Sequence, residues 1–176
     1  MKDHLICRAI YEKIGRAESV IDIGCGEGYL VNCLAQKLGR KVVGFDITDK
    51  GFSATHDVCK RFGTCHLIRC VKGDVHKINN FFKQESFDAA IIVYTLHHLE
   101  HPINALRMIV QTIKTNGKII IGDYWFTERK KRTECYRFTT KDMKNLLLRS
   151  GFRFLGADKI GKDFVLVVGE KPAQQG

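Results

Sequence analysis

Residues 20–30 read Val20-Ile21-Asp22-Ile23-Gly24-Cys25-Gly26-Glu27-Gly28-Tyr29-Leu30, and this stretch decides the fold. A short, largely apolar run containing one acid leads to three glycines at alternate positions and then to a helical pattern. Glycine adopts backbone angles that other residues avoid, and it has no side chain to obstruct a ligand. The stretch predicts a buried strand that turns into a helix. Near the N-terminus of a doubly wound α/β sheet, such a turn is where nucleotide-like cofactors bind.

The spacing of the glycines separates two classes of cofactor site. A dinucleotide-binding turn has the pattern G-x-G-x-x-G, whereas Gly24, Gly26 and Gly28 give G-x-G-x-G, and Tyr29 stands where the third dinucleotide glycine would be. Asp22 precedes the first glycine by two positions. The resulting pattern, D-x-G-x-G-x-G, resembles motif I of the class I S-adenosylmethionine-dependent methyltransferases. A glycine-rich turn for another nucleotide is the alternative, because motifs this short are degenerate.

Acidic residues follow the next two predicted strands. Asp46 ends the strand predicted over residues 41–46, twenty positions after Gly26. An acid at this offset can accept hydrogen bonds from both ribose hydroxyls of an adenosyl group, and capping of the next helix is the alternative. Asp74 and Val75 follow the third predicted strand, residues 66–71. The resemblance implies that Asp74 binds the adenine amino group and that Val75 packs on the adenine ring.

The remaining elements extend the resemblance over residues 19–170. Residues 87–94 are predicted as a buried strand, and residues 95–102 resemble the loop that follows it in type 11 methyltransferases, a group that includes ubiquinone- and menaquinone-pathway enzymes. Residues 117–124 match the fifth strand of the family and residues 139–152 its last helix, before a predicted hairpin. The resemblance implies one Rossmann-like domain over residues 1–176, with three αβα layers, strand order 3-2-1-4-5-7-6 and an antiparallel last strand.

The resemblance also implies the residues of the site. The cofactor would be S-adenosylmethionine, with S-adenosylhomocysteine as product, and its implied ligands are Asp22, Gly24, Cys25, Gly26, Glu27, Gly28, Asp46, Ile47, Asp74, Val75 and Tyr94. His97 and His98 follow strand four, where the family places residues that face donor and acceptor. A histidine there can act as general base, and packing beneath the loop is the alternative. We rank His97 slightly above His98. Further candidates for the acceptor pocket are Tyr94, Tyr124, Trp125, Tyr136 and Arg137.

The seven cysteines of the chain suggest neither a metal site nor a disulfide framework. No pair has the C-x-x-C spacing of common zinc sites, so no metal is predicted. The odd count and the expected cytoplasmic location argue against structural disulfides. We expect Cys25, Cys33 and Cys70 to pack in the core. Cys59, Cys65 and Cys135 leave open a substrate bound by cysteines, as in arsenite methyltransferases.

The net charge of +10 is concentrated towards the C-terminus, where eleven basic and four acidic residues lie within residues 128–162. A basic rim suits an acidic small molecule or a nucleic acid. The loop after strand four lacks Asn/Asp-Pro-Pro-Tyr, and a Pro-Cys nucleophile is also missing, which favours a small-molecule acceptor. An RNA, nucleic-acid or protein methyltransferase and a non-catalytic donor-binding module are the alternatives.

Hydropathy predicts no insertion into a membrane, because the longest apolar runs have the length of a strand. The N-terminal residues are interrupted by charges too often for a signal peptide. We therefore expect a cytoplasmic protein, either a monomer or a homodimer.

Overall fold

The computed structural model describes residues 2–125 and 138–173 of the chain. Within these residues, helices and strands alternate through most of the chain before a final hairpin. In chain order they are α1 (Lys2–Ile14), β1 (Ser19–Ile23), α2 (Tyr29–Leu38), β2 (Lys41–Asp46), α3 (Phe52–Phe62), β3 (Ile68–Lys72), β4 (Phe87–Val93), α4 (Pro102–Thr112), β5 (Ile113–Tyr124), α5 (Thr140–Arg149), β6 (Arg153–Ile160) and β7 (Phe164–Glu170). Short 3₁₀ segments lie at Cys65–Leu67, Val75–Asn80 and Leu96–His98.

The strands form one sheet with the order β3-β2-β1-β4-β5-β7-β6. The first five strands along the chain pair in parallel, whereas β7 is antiparallel to both β5 and β6. The predicted order and the predicted terminal hairpin are therefore confirmed. β2 and β3 extend the sheet on one side of β1, and β4 and β5 extend it on the other side. The loops that leave β1 and β4 therefore diverge. A crevice at the carboxyl ends of the strands results, which is where open α/β sheets bind ligands.

Helices cover both faces of the sheet, because successive strand residues point to opposite sides. On one face α1 and α2 bury Ile10 and Leu34 in the same cluster as Val20 of β1. On the other face α4 and α5 bury Leu106 and Leu147 in a cluster with Ile21, which follows Val20 in β1. The predicted three-layer αβα arrangement is confirmed.

The starts of β3 and β5 differ from the prediction. β5 begins at Ile113, before the predicted start at Gly117. Its pairing with β4 is interrupted by a bulge, because Phe87 pairs with Ile113 and the ladder resumes only at Lys118. Apolar periodicity does not show such an irregular start. The predicted start of β3 at His66 is also displaced, because residues 65–67 form a 3₁₀ turn and the strand begins at Ile68.

The prediction against disulfides is wrong. Cys7 of α1 is bonded to Cys33 of α2, and Cys59 of α3 is bonded to Cys65. The Cα–Cα distances of 6.5 and 4.9 Å lie within the usual disulfide range. The first bond depends on which faces of two helices meet, and the chain sequence does not reveal this.

The other cysteine predictions have different outcomes. Cys25 is buried and Cys70 is partly buried, both as free thiols, and Cys135 lies outside the described residues. The described part of the chain contains no group of three or more His, Cys, Asp or Glu side chains suited to a metal ion. The absence of zinc stays a prediction. None of the helices described is long and apolar enough to cross a bilayer.

Candidate active site

Two cavities lie at the carboxyl ends of the parallel strands and share the lining residues Gly24 and Tyr94. The large lobe has a volume of about 640 Å³ and is lined by Ile23, Gly24, Phe45, Asp46, Ile47, Gly73, Asp74, Val75, His76, Tyr94, Thr95, His98, Leu99 and Glu100. The small lobe has a volume of about 390 Å³ and is lined by Ile6, Asp22, Gly24, Cys25, Glu27, Tyr29, Leu30, Val93 and Tyr94. Most of the predicted cofactor ligands therefore meet in one continuous region.

The glycine turn after β1 needs glycine for two different reasons. Gly24, Gly26 and Gly28 all have positive φ, at 76°, 51° and 72°, which other residues rarely adopt. A Cβ at Gly24 would lie 2.1 Å from the side chain of Thr95, and one at Gly28 would lie 2.2 Å from that of Thr55. A Cβ at Gly26 would meet nothing within 4 Å. Two of the glycines therefore permit close packing, and Gly26 alone leaves open space beside the backbone.

Asp22 is buried at the centre of the site, with 1% of its surface exposed. Its Oδ1 atom has no hydrogen-bond partner within the described structure. Burial, and then the neighbouring charge of Asp46, raise the pKa of Asp22 to about 7. Burying a carboxylate without its full set of hydrogen-bond partners costs free energy. Asp22 can therefore bind a hydrogen-bond donor or a cation that a ligand brings.

Asp46 connects the end of β2 to the glycine turn. Its Oδ2 accepts a hydrogen bond of 2.9 Å from the Gly26 N–H, and its Oδ1 accepts one of 3.0 Å from the Thr48 N–H. These bonds orient the carboxylate, and each oxygen keeps further acceptor capacity. Ile47, which follows it, lines the large lobe with 72% of its surface exposed.

Asp74 and Val75 follow β3 and also line the large lobe. The Oδ1 atom of Asp74 accepts a 2.9 Å bond from the His76 N–H and lies 3.0 Å from the His76 ring Nδ1. These hydrogen bonds hold the pKa of Asp74 below its usual value, so it is a carboxylate at neutral pH. Val75 is 7% exposed and contributes an apolar surface to the same lobe.

The two histidines predicted as catalytic have different surroundings. The Nδ1 atom of His97 lies 2.9 Å from both carboxylate oxygens of Asp123, near the end of β5. Their side chains are only 12% and 5% exposed. His98 lines the large lobe, and its ring centroid lies 4.2 Å from that of His97. Burial, and then the nearby His97, lower the pKa of His98, so its ring is neutral at pH 7.

The remaining predicted site residues are distributed as follows. Cys25 and Glu27 line the small lobe, whereas Gly26 and Gly28 line neither. Burial and the carboxylates of Asp22 and Asp46 raise the pKa of the Cys25 thiol, so it is not a thiolate that could bind a substrate.

The predicted acceptor-pocket residues are only partly described. Tyr124 packs against Tyr94 with 4.9 Å between ring centroids. Trp125 lies under the Lys159 ammonium, which is 3.6 Å from a ring centroid of the indole. Tyr136, Arg137 and the basic run 129–132 lie outside the described residues.

A family model described as a methyltransferase domain matches residues 21–121, more than half of the chain. The chain belongs to this methyltransferase family. Demethylmenaquinone methyltransferase of Tropheryma whipplei is 27% identical to this chain over 107 residues, which are 61% of this chain and 42% of that protein. A tRNA U34 carboxymethyltransferase of Sulfurimonas denitrificans is 24% identical over 145 residues, covering 76% of this chain and 48% of the relative. The chain thus spans about half, or less, of the length of these curated relatives.

This chain shares its fold with a crystal structure of the [4+2]-cyclase SpnF. The TM-score is 0.87 at 14% sequence identity, covering 98% of this chain and 81% of that one. At this identity the likeness shows the fold alone.

Asp123 is a residue of the site that was not predicted from the sequence. A signal for it was present, because Asp123 is an acid near the end of an apolar strand, as Asp46 is. Asp123 is 4% exposed, and a buried acid at the carboxyl end of a central parallel strand marks the site edge of the sheet.

Proposed function

We propose that this methyltransferase transfers a methyl group from S-adenosylmethionine to a small acidic acceptor. The observation that carries the proposal is a divided cavity with a carboxylate in each part. Asp22 lies in the small lobe, and Asp46 and Asp74 lie in the large lobe. S-adenosylmethionine has an amino-acid end that carries an ammonium group, which matches Asp22, and a neutral, hydroxyl-rich adenosyl end, which matches Asp46 and Asp74.

The large lobe suits the adenosyl end. The oxygens of Asp46 can accept from both ribose hydroxyls, and its bond to the Gly26 N–H keeps the carboxylate oriented before a ligand arrives. Asp74 offers an acceptor for the adenine amino group. Val75 and the exposed Ile47 provide apolar surfaces for the two faces of the base.

The small lobe suits the methionine end. The Asp22 Oδ1 without a partner would bind the ligand ammonium, directly or through a water molecule. The backbone of the glycine turn lines the small lobe at Gly24, and Cys25 and Glu27 line it as well. The ligand would then supply the hydrogen-bond partner that the Oδ1 atom of Asp22 lacks.

For this reaction the protein has chiefly to align the donor with the acceptor and to exclude water. The sulfonium supplies a reactive methyl group with a good leaving group, so the transfer is an in-line displacement. The residues named above hold the donor at both ends. The acceptor must therefore approach over the ends of β4 and β5, near Tyr94, His98 and Tyr124.

His97 and Asp123 are the pair we assign to proton removal from the acceptor. An ionised Asp123 favours a proton on Nδ1 of His97, which leaves Nε2 as the basic nitrogen. The same hydrogen bonds fix the ring plane. His98 remains a second candidate because it lines the large lobe. A base is required only where the methylated atom carries a proton that must leave.

An acidic acceptor is supported by the described part of the basic C-terminal region. The Lys159 ammonium lies over Trp125, directly after the end of β5. An ammonium held in this position beside the end of β5 can pair with the carboxylate of an acidic acceptor.

The direct test uses donor labelled at the methyl group and a small-molecule extract of the source cells. We expect the purified protein to form S-adenosylhomocysteine and to place the label in one low-molecular-weight product. The same reaction with the Asp46→Ala variant is the control and should stay near background. Donor binding without turnover in any extract would contradict the proposal and favour a non-catalytic binding module.

RNA is the second candidate acceptor, because a matched relative is a tRNA-modifying enzyme and the chain is strongly basic. A filter-binding titration of generic RNA at two salt concentrations separates the two cases. We expect only non-specific binding, at about 10⁻⁴–10⁻⁶ M and steeply weakened by salt. Sub-micromolar, sequence-selective binding would contradict the small-molecule proposal.

A further inference from the structure

Tyr94 occupies the boundary between the two lobes. Gly24 and Tyr94 are the residues that line both cavities, so a ligand that fills both must pass beside them. With the adenosyl group in the large lobe and the methionine chain in the small lobe, the atom that joins these parts is the sulfur. Gly24 has no side chain, which leaves the side chain of Tyr94 to face the sulfur.

The position of Tyr94 is set by its backbone and by its ring neighbours. Its φ angle is +54°, which is a rare and costly conformation for a bulky residue. The Tyr94 N–H donates to the Gly122 carbonyl at 2.9 Å, and its ring centroid lies 5.0 Å from that of Phe164 and 4.9 Å from that of Tyr124. Strained backbone that is held by packing is common at functional sites.

We propose that the ring of Tyr94 recognises the positive charge of the donor sulfonium and so favours S-adenosylmethionine over S-adenosylhomocysteine. This inference rests on the proposed function. The face of an aromatic ring carries negative potential and attracts a cation placed over it. The product has a neutral thioether at the same position, so it does not gain this attraction. Tyr94 would thus help a new donor molecule to compete with the product for the site after transfer.

Other charged groups face the same region, and most affect the two ligands alike. Asp46 binds hydroxyls and Asp22 is assigned to the ammonium, and both ligands carry these groups. Glu27 lines the small lobe and Glu100 lines the large lobe. His98 is neutral at pH 7, because burial lowers its pKa, so it does not repel the sulfonium. The difference between the two ligands therefore reports on the groups that contact the sulfur.

The test measures the affinity of both ligands by calorimetry at pH 7.5. For Tyr94→Leu we expect the affinity for S-adenosylmethionine to fall roughly 3- to 30-fold, with that for S-adenosylhomocysteine changed less than about twofold. Tyr94→Phe keeps the ring and should keep the wild-type ratio. Tyr11→Leu is the matched control, since Tyr11 of α1 is exposed and lines neither lobe, and it should also keep the ratio.

The outcomes separate this inference from the proposed function. If the wild type binds neither ligand, the proposed function fails. If it binds both and Tyr94→Leu weakens both equally, only the role of Tyr94 is overturned. Should Tyr94→Leu not fold, Tyr94→Phe decides, because a changed ratio in that variant would assign selectivity to the hydroxyl and contradict the role of the ring.

Discussion

Replacing Asp46 with alanine should weaken binding of S-adenosylmethionine by roughly 2–4 kcal/mol, the expected loss of two charge-assisted hydrogen bonds to the ribose. The structure adds a second reason for a large effect. Asp46 also accepts hydrogen bonds from the N–H groups of Gly26 and Thr48, so alanine would loosen the turn on which the donor lies. Calorimetry on both proteins measures the difference.

The control for this prediction lies in the same loop. Asp49 pairs with Lys72 on the surface and lines neither lobe, so Asp49→Ala should bind the donor like the wild type. An unchanged affinity in Asp46→Ala would refute the ribose assignment. Tighter binding of NADH than of S-adenosylmethionine by the wild type would refute the interpretation of the glycine motif.

Replacing Asp22 with asparagine should have opposite effects on binding and on stability. The variant loses the charge assigned to the ligand ammonium, so donor affinity should fall about 10- to 100-fold. The ligand-free protein should nevertheless become more stable at pH 8. The reason is that burial of an ionised carboxylate is unfavourable, and an amide of similar size removes the charge.

The sign of the pH dependence follows from the raised pKa of Asp22. The folded protein holds the Asp22 proton up to about pH 7, whereas the unfolded chain releases it near the ordinary value of 3.8. The stability contributed by this proton is therefore complete below pH 3.8 and is lost as the pH rises to 7. The total loss is about 4 kcal/mol, at 1.36 kcal/mol for each unit of pKa difference.

Thermal unfolding of the ligand-free proteins at pH 5 and pH 8 tests this prediction. The stabilisation by Asp22→Asn should be larger at pH 8 than at pH 5. Donor affinity of the wild type should rise between pH 6 and pH 8 as Asp22 ionises, and this rise should be absent in the variant. Equal stabilities of the two proteins at pH 8 would show that the buried charge is not the cause.

Local patterns in the sequence were sufficient to bring most of the predicted donor ligands to one edge of the sheet. The turn at Gly24 and the acids Asp46 and Asp74 each lie within a few residues of a predicted strand end, so a local pattern identifies them. Parallel strands bring their carboxyl ends to one edge of the sheet, so these positions had to converge once the strands were recognised. The strand order itself came from resemblance to the family, and the sheet confirms it.

Contacts between distant elements were decided by the tertiary structure alone. The pairing of Cys7 with Cys33 depends on how α1 and α2 are rotated against each other, and that of His97 with Asp123 joins residues 26 positions apart. The division of the cavity at Tyr94 likewise arises from a strained backbone and from packing between β4, β5 and β7. A local pattern specifies which face of an element is apolar. It does not specify which side chain of another element that face will meet, because that depends on the packing of the whole core.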